Sequence, residues 1–151
     1  MKKILMLLVF MAMFCFGTSI QQAEQECNDK NYDSCDALGV VYHYGHGETK
    51  LNYEKAAKYY KKACDGEFYQ SCLSLAILYD RGQGVEQNYE KSAKYYKKAC
   101  DSNRYVYPCY RLGELYGDGQ GVEQDISRAK KYYKKGCDLD PNRARNGKCV
   151  E

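Results

Sequence analysis

The chain repeats one pattern of apolar and polar positions three times. Aligned on Cys35, Cys72 and Cys109, the segments CDALGVVYHYG, CLSLAILYDRG and CYRLGELYGDG carry apolar or small residues three, four, six and seven positions after the cysteine. These are Leu38, Gly39, Val41 and Tyr42, then Leu75, Ala76, Leu78 and Tyr79, then Leu112, Gly113, Leu115 and Tyr116. That spacing is one face of an α-helix. A second amphipathic segment follows each time: NYEKAAKYYKKACD at 52–65, NYEKSAKYYKKACD at 88–101 and DISRAKKYYKKGCD at 125–138. Its apolar face in the first copy is Tyr53, Ala56, Ala57, Tyr60, Ala63 and Cys64, again at helical spacing. The closing cysteines, Cys64, Cys100 and Cys137, step by 36 and 37 residues. Such a period predicts stacked helix hairpins, in which each unit buries its apolar face only against its neighbours.

Helix punctuation agrees with this division. Gly45, Gly82 and Gly119 stand where a first helix ends and positive φ is wanted, and Gly47, Gly84 and Gly121 follow two residues later. Asn52, Asn88 and Asp125 are N-cap residues for the second helix. Glu54 and Glu90 favour its positive end, and the lysine pairs 61–62, 97–98 and 134–135 favour its negative end. Gly39 and Gly113 lie inside a helix, where glycine costs about 1 kcal/mol against alanine. They predict close approach of a neighbouring helix. The hairpins are placed at 33–65, 69–101 and 106–138. Residues before Cys27 are expected to form the last turn of a truncated helix. The segment 138–151, broken by Pro141 and Gly147, is too interrupted for a full fourth pair.

Composition adds an address. Of 151 residues, 44% are hydrophobic and 28% charged, which is ordinary for one domain, but there are 9 cysteines and 17 tyrosines with no tryptophan. Lys2 and Lys3 precede an unbroken apolar run, Ile4 to Phe16, and then the small residues Gly17, Thr18 and Ser19. Residues 1–19 therefore read as a secretory signal peptide, and 20–151 as the repeat domain. The run is shorter than the roughly 20 residues a membrane span needs. Lipid attachment at Cys15 is disfavoured by the bulky Met13 and Phe14 beside it. Cleavage after Ser19 would leave 21 basic and 20 acidic residues, a net charge of +1. A balance so close to neutral gives no electrostatic reason to expect nucleic acid or an anionic membrane as partner. The mature chain is expected in the periplasm or outside the cell, as a monomer.

Cleavage also leaves eight cysteines, an even number for an oxidising compartment, and no C-x-x-C. Eight cysteines allow 105 pairings. The intervals between successive cysteines favour one set, since neighbour pairing reuses the repeat four times: Cys27–Cys35, Cys64–Cys72, Cys100–Cys109 and Cys137–Cys149. Closing a loop of about nine residues stabilises by roughly 2.5 kcal/mol in the chain-entropy model.

A first helix such as LGELYGDGQGV, followed by a second such as YEKSAKYYKKAC, resembles the Sel-1-like repeat, a relative of the tetratricopeptide helix pair. With the recurrent cysteines, the array resembles the Helicobacter cysteine-rich protein family over residues 27–138. The resemblance implies an all-α, right-handed α-solenoid of about three disulfide-stapled hairpins that needs no cofactor. It further implies binding of a protein, peptide or peptidoglycan-type cell-wall fragment through the concave face. As an alternative, it implies binding or slow hydrolysis of β-lactams.

The residues themselves name no nucleophile for that chemistry. Ser127 and Lys130 have S-x-x-K spacing, but the partner motifs S-D-N and K-T-G are absent and Ser127 replaces Glu54 and Glu90 of the other copies. His43 and His46 are the only histidines and lack a third ligand of recognisable spacing, so no metal site is expected. Tyr42, Tyr79, Tyr116, Tyr60, Tyr96 and Tyr133 recur by repeat and are assigned to the core. The candidate ligand-binding residues are the non-repeating ones on the exposed side of the first helices: His43, Tyr44, Asp80, Arg81, Tyr110, Arg111 and Glu114.

Overall fold

The computed structural model describes residues 20–140. Residues 20–28 form helix α1. It is followed by α2 (Tyr32–Tyr44), α3 (Tyr53–Asp65), α4 (Tyr69–Arg81), α5 (Tyr89–Asp101), α6 (Val106–Asp118) and α7 (Ile126–Leu139). Helices α2/α3, α4/α5 and α6/α7 pack as hairpins, and α3/α4 and α5/α6 join successive hairpins. Cross-links between repeats sort the helices into two layers. Ser71 donates to Asp36 and Arg111 to Asp80, tying the first helices α2, α4 and α6 together. In the other layer Tyr59 donates to Glu24, joining α3 to α1, and Lys135 to Asp101, joining α7 to α5.

The second helices start as their sequence requires. Asn52, Asn88 and Asp125 sit in extended backbone and accept from the amides of Lys55, Lys91 and Arg128 at 2.8 to 2.9 Å. Asn31 does the same for α2, accepting from Ser34 at 3.2 Å. Such a cap contributes about 1 kcal/mol. Asn88→Ala is expected to lower the stability of the protein by that amount, measured by urea denaturation, whereas Asn88→Gly should lower it by only a few tenths.

The interior glycines have the reason expected of them. A Cβ on Gly39 would run into the Tyr60 ring, and one on Gly113 would lie 2.7 Å from Cε1 of Tyr133. The core is built from Leu38, Leu75, Leu78, Leu112 and Leu115 of the first helices, facing Ala56, Ala63, Ala99, Tyr60 and Tyr96 of the second. Val41 and Tyr53, assigned above to apolar faces, are only half-buried, as are Tyr79, Tyr116 and Tyr133.

The same interface holds tyrosines that the sequence pattern did not single out. Tyr59, Tyr95 and Tyr132 stack on Tyr42, Tyr79 and Tyr116, with centroids 5.6, 5.8 and 5.6 Å apart and planes within 9° of parallel. A cation from the first turn of the second helix covers the outer ring each time: Lys55 over Tyr42, Lys91 over Tyr79 and Arg128 over Tyr116.

Three disulfides close the turns between consecutive hairpins: Cys27–Cys35, Cys64–Cys72 and Cys100–Cys109, with Cα atoms 4.8, 4.7 and 4.9 Å apart. All six sulfurs belong to buried residues. Each closed turn contains a non-glycine residue at positive φ, three positions after the first cysteine: Lys30, Glu67 and Asn103. The expected fourth partner, Cys149, lies outside the described residues, as do residues 1–19, Pro141 and Gly147. At the N-terminal end, helix extends through 20–28 rather than over a single turn. Glu24 accepts from Tyr59 at 2.8 Å and Tyr42 at 3.4 Å, and Asn28 accepts from Lys62 at 2.7 Å. These bonds seat α1 against α3 as the second helix of a preceding hairpin would be.

Candidate functional site

The residues expected on one exposed face divide into two groups. Asp80, Arg111 and Glu114 come together and turn inward. One Arg111 nitrogen, Nη2, donates to both Asp80 oxygens at 2.8 and 3.0 Å, and Nη1 donates to Glu114 at 2.5 Å. Tyr96 donates its hydroxyl to the same Asp80 carboxylate at 3.1 Å. The Asp80 and Arg111 side chains are only 11% and 25% exposed, which corrects the expectation that both lie open on the surface. Burial alone would lower the Arg111 pKa, but Glu114, Asp80 and Tyr96 outweigh it, so the guanidinium is a fixed positive charge. Part of the variation between copies thus compensates internally: Arg111 stands where Ala37 and Ser74 do, and its partner Asp80 stands where His43 and Gly117 do.

His43 is also withdrawn. Its ring lies 4.5 Å from Tyr44, 5.3 Å from Tyr53 and 5.9 Å from Tyr60, and its Nδ1 is buried with no hydrogen-bond partner. Burial, then the nearby positive charge of Arg81, lowers its pKa below the ordinary 6.5. The folded chain therefore keeps His43 neutral at a pH where the unfolded chain protonates it. Unfolding takes up a proton there, and stability falls as pH drops through about 6.5. His43→Phe is expected to flatten that slope between roughly pH 6.5 and 5, above the ordinary carboxylate range, in thermal melts followed across the interval.

Tyr110 points toward α7, its hydroxyl 3.3 Å from the Cys137 sulfur and its ring against Gly136. Of the seven candidates, Tyr44 and Arg81 are exposed, Tyr44 at 72%. They share their helical register with Asp118. Two further rows of the same stripe are Val40, Ile77 and Glu114, and Asp33, Gln70 and Tyr107. Val40 and Tyr107, at 42% and 41% exposure, were not singled out by the sequence pattern. Their signal was available, because both sit at repeat positions where at least one of the three occupants differs in chemistry. The exposed part of this stripe runs from Val40 and Tyr44 on α2, through Gln70 and Arg81 on α4, to Tyr107 and Asp118 on α6, with Ile77 and Glu114 half-buried beside it.

Ser127 and Lys130 are both exposed on α7, and their side chains make no hydrogen bond to a described residue. Among the described residues no cluster of three His, Cys, Asp or Glu side chains could hold a metal ion. No described helix is long and apolar enough to cross a membrane.

The family model described as the Sel1 repeat matches residues 33–68, 70–103 and 109–141. The chain belongs to the Sel1 repeat family. Its solved relatives share the architecture. A Sel1 repeat protein from Oxalobacter formigenes is 26% identical with a TM-score of 0.71, over 82% of this chain and 53% of that one. A protective antigen of uropathogenic Escherichia coli with the SLR fold is 27% identical with a TM-score of 0.73, over 80% of this chain and 25% of that one. Helicobacter pylori cysteine rich protein B is 28% identical with a TM-score of 0.60, over 85% of this chain and 91% of that one. The chain thus spans about half of the Oxalobacter protein, a quarter of the Escherichia antigen and most of the Helicobacter protein. No curated protein sequence matches it.

Proposed function

We propose that this Sel1 repeat protein is exported to an oxidising compartment and binds a segment of a partner protein along its first-helix layer, the concave face of such arrays. The observation that carries this reading is the distribution of variety. The second helices at 52–65 and 88–101 differ at one position in fourteen, and the third keeps their tyrosine pair and cysteine, whereas the exposed rows Tyr44, Arg81, Asp118 and Asp33, Gln70, Tyr107 of α2, α4 and α6 change chemistry at every step. A scaffold repeats what packing demands, and a recognition surface varies where its ligand varies. The stripe offers an apolar anchor site at Val40 and Tyr44 and an acidic end at Asp118, favouring a segment with an apolar residue at one end and a basic one at the other. Buried disulfides are the reason for placing it in the periplasm or outside the cell.

Capture of a partner by the oxidised protein tests the proposal. Tyr44→Ala with Val40→Ser should abolish capture, while Glu54→Gln on a second helix should leave it intact. Equal capture by all three proteins would remove the first-helix layer from consideration. Turnover of a chromogenic cephalosporin above buffer, lost in the same double variant, would instead favour the β-lactam reading.

A further inference from the structure

The near-neutral balance of the whole chain conceals two layers of opposite charge. Helices α2, α4 and α6 carry five acidic residues and two arginines. Helices α3, α5 and α7 carry thirteen lysines and arginines against five acids, and α1, at the end of the same layer, adds the acids Glu24 and Glu26 and no base. Three of those acids are engaged: Asp65 by Lys61, Asp101 by Lys97 and Lys135, and Asp138 by Lys134. Lys58, Lys94 and Lys131 remain. They occupy the same register in three successive helices, are exposed, and have no ion pair with any described residue. Lys98 and Lys130 are exposed in the same layer and likewise unpaired.

We propose that this second-helix layer docks on an anionic lipid bilayer. The occupant follows from charge complementarity and from what the layer lacks. Its tyrosines Tyr59, Tyr60, Tyr95 and Tyr96 are buried and Tyr53, Tyr89, Tyr132 and Tyr133 are half-buried, so no fully exposed tyrosine stands among these lysines as a stacking platform for nucleic-acid bases. The lysines stand on flexible stems without fixed partners, which suits a laterally fluid sheet of phosphate headgroups rather than a ligand of fixed geometry. Clusters of four to eight basic residues are the usual size for such attraction, with each cation worth roughly fivefold in partitioning. The opposite layer, with its excess of acids, is left facing away from the bilayer and free for the partner proposed above. The two proposals are independent, since they use different helices.

Sedimentation of the oxidised full chain with vesicles tests the inference. Vesicles of phosphatidylcholine with about one-third phosphatidylglycerol should carry the protein down at roughly 0.01 M salt and release it at 1 M, where the Debye length is only about 3 Å. Pure phosphatidylcholine vesicles should not. Lys58→Gln with Lys94→Gln and Lys131→Gln should weaken binding by about a hundredfold, with an unchanged circular-dichroism spectrum. The control Lys50→Gln, Arg81→Gln, Arg104→Gln removes the same charge from loops and the first-helix layer and should weaken it by less than tenfold. Equal losses in the two triple variants, or equal binding to both kinds of vesicle, would overturn the proposal. So would binding to soluble polyphosphate without binding to vesicles.

Discussion

Excess dithiothreitol is expected to abolish the helical circular-dichroism signal of the native protein at temperatures where the oxidised form stays folded. Each of the three described bridges closes a loop of eight or nine residues, worth about 2.5 kcal/mol by restriction of the unfolded chain. Together they contribute roughly 7.5 kcal/mol, against a total stability of about 5 to 15 for an ordinary domain. The remaining core is thin, because beside Tyr59, Tyr60, Tyr95 and Tyr96 the buried face of the second helices is mostly alanine. Opening only the central bridge, with Cys64→Ala and Cys72→Ala, is expected to cost about 3 kcal/mol in urea denaturation, since both sulfurs also lose buried packing. A reduced protein that kept its helical signal and its denaturation midpoint would show that packing alone suffices.

The second large effect is expected from one methyl group. Gly84→Ala should cost about 3 kcal/mol or more, while the matching change Gly47→Ala should cost only about 1. Both glycines have positive φ, 66° and 58°, so both substitutions carry the strain of a left-handed residue. They differ in surroundings. Nothing lies within 4 Å of a Cβ built on Gly47, but at Gly84 it meets the backbone of Tyr53 and Glu54 at the start of α3. Backbone cannot swing aside as a side chain would, so the loop must lift from the preceding hairpin. Gly121 makes the same contact with Tyr89 and Glu90 of α5. Melting temperatures of the two variants, recorded side by side, check the contrast, and equal shifts would mean that strain rather than the contact dominates.

This glycine shows where sequence reading succeeds and stops. Its place two residues after Gly82, the glycine read as ending a helix with positive φ, was legible, because such punctuation is local. Its role as a contact between hairpins was not, since the touching backbone lies thirty residues earlier. The same divide separates Tyr60 from Tyr59. A helical wheel places Tyr60 at the centre of the apolar face and Tyr59 at its edge, and only the presence of Tyr42 across the hairpin makes the edge position buried. Asp80 and Arg111 looked like solvated, variable residues for the same reason, being 31 positions apart until stacking brings them together. The charge segregation was hidden by summation: a net value adds opposite faces that the ligand never sees at once. By contrast the caps, the hairpin lengths and the three described disulfides were all legible, because each depends on intervals within one repeat.

The closed turns between hairpins also bear on survival among proteases. Lys30 and Arg104, the residues a trypsin-like enzyme would choose in those turns, lie inside the rings sealed by Cys27–Cys35 and Cys100–Cys109 and are exposed. Hydrolysis at either peptide bond would leave the two fragments covalently joined through sulfur. A nicked molecule would migrate as a single species on a non-reducing gel, separating into pieces only after a thiol is added.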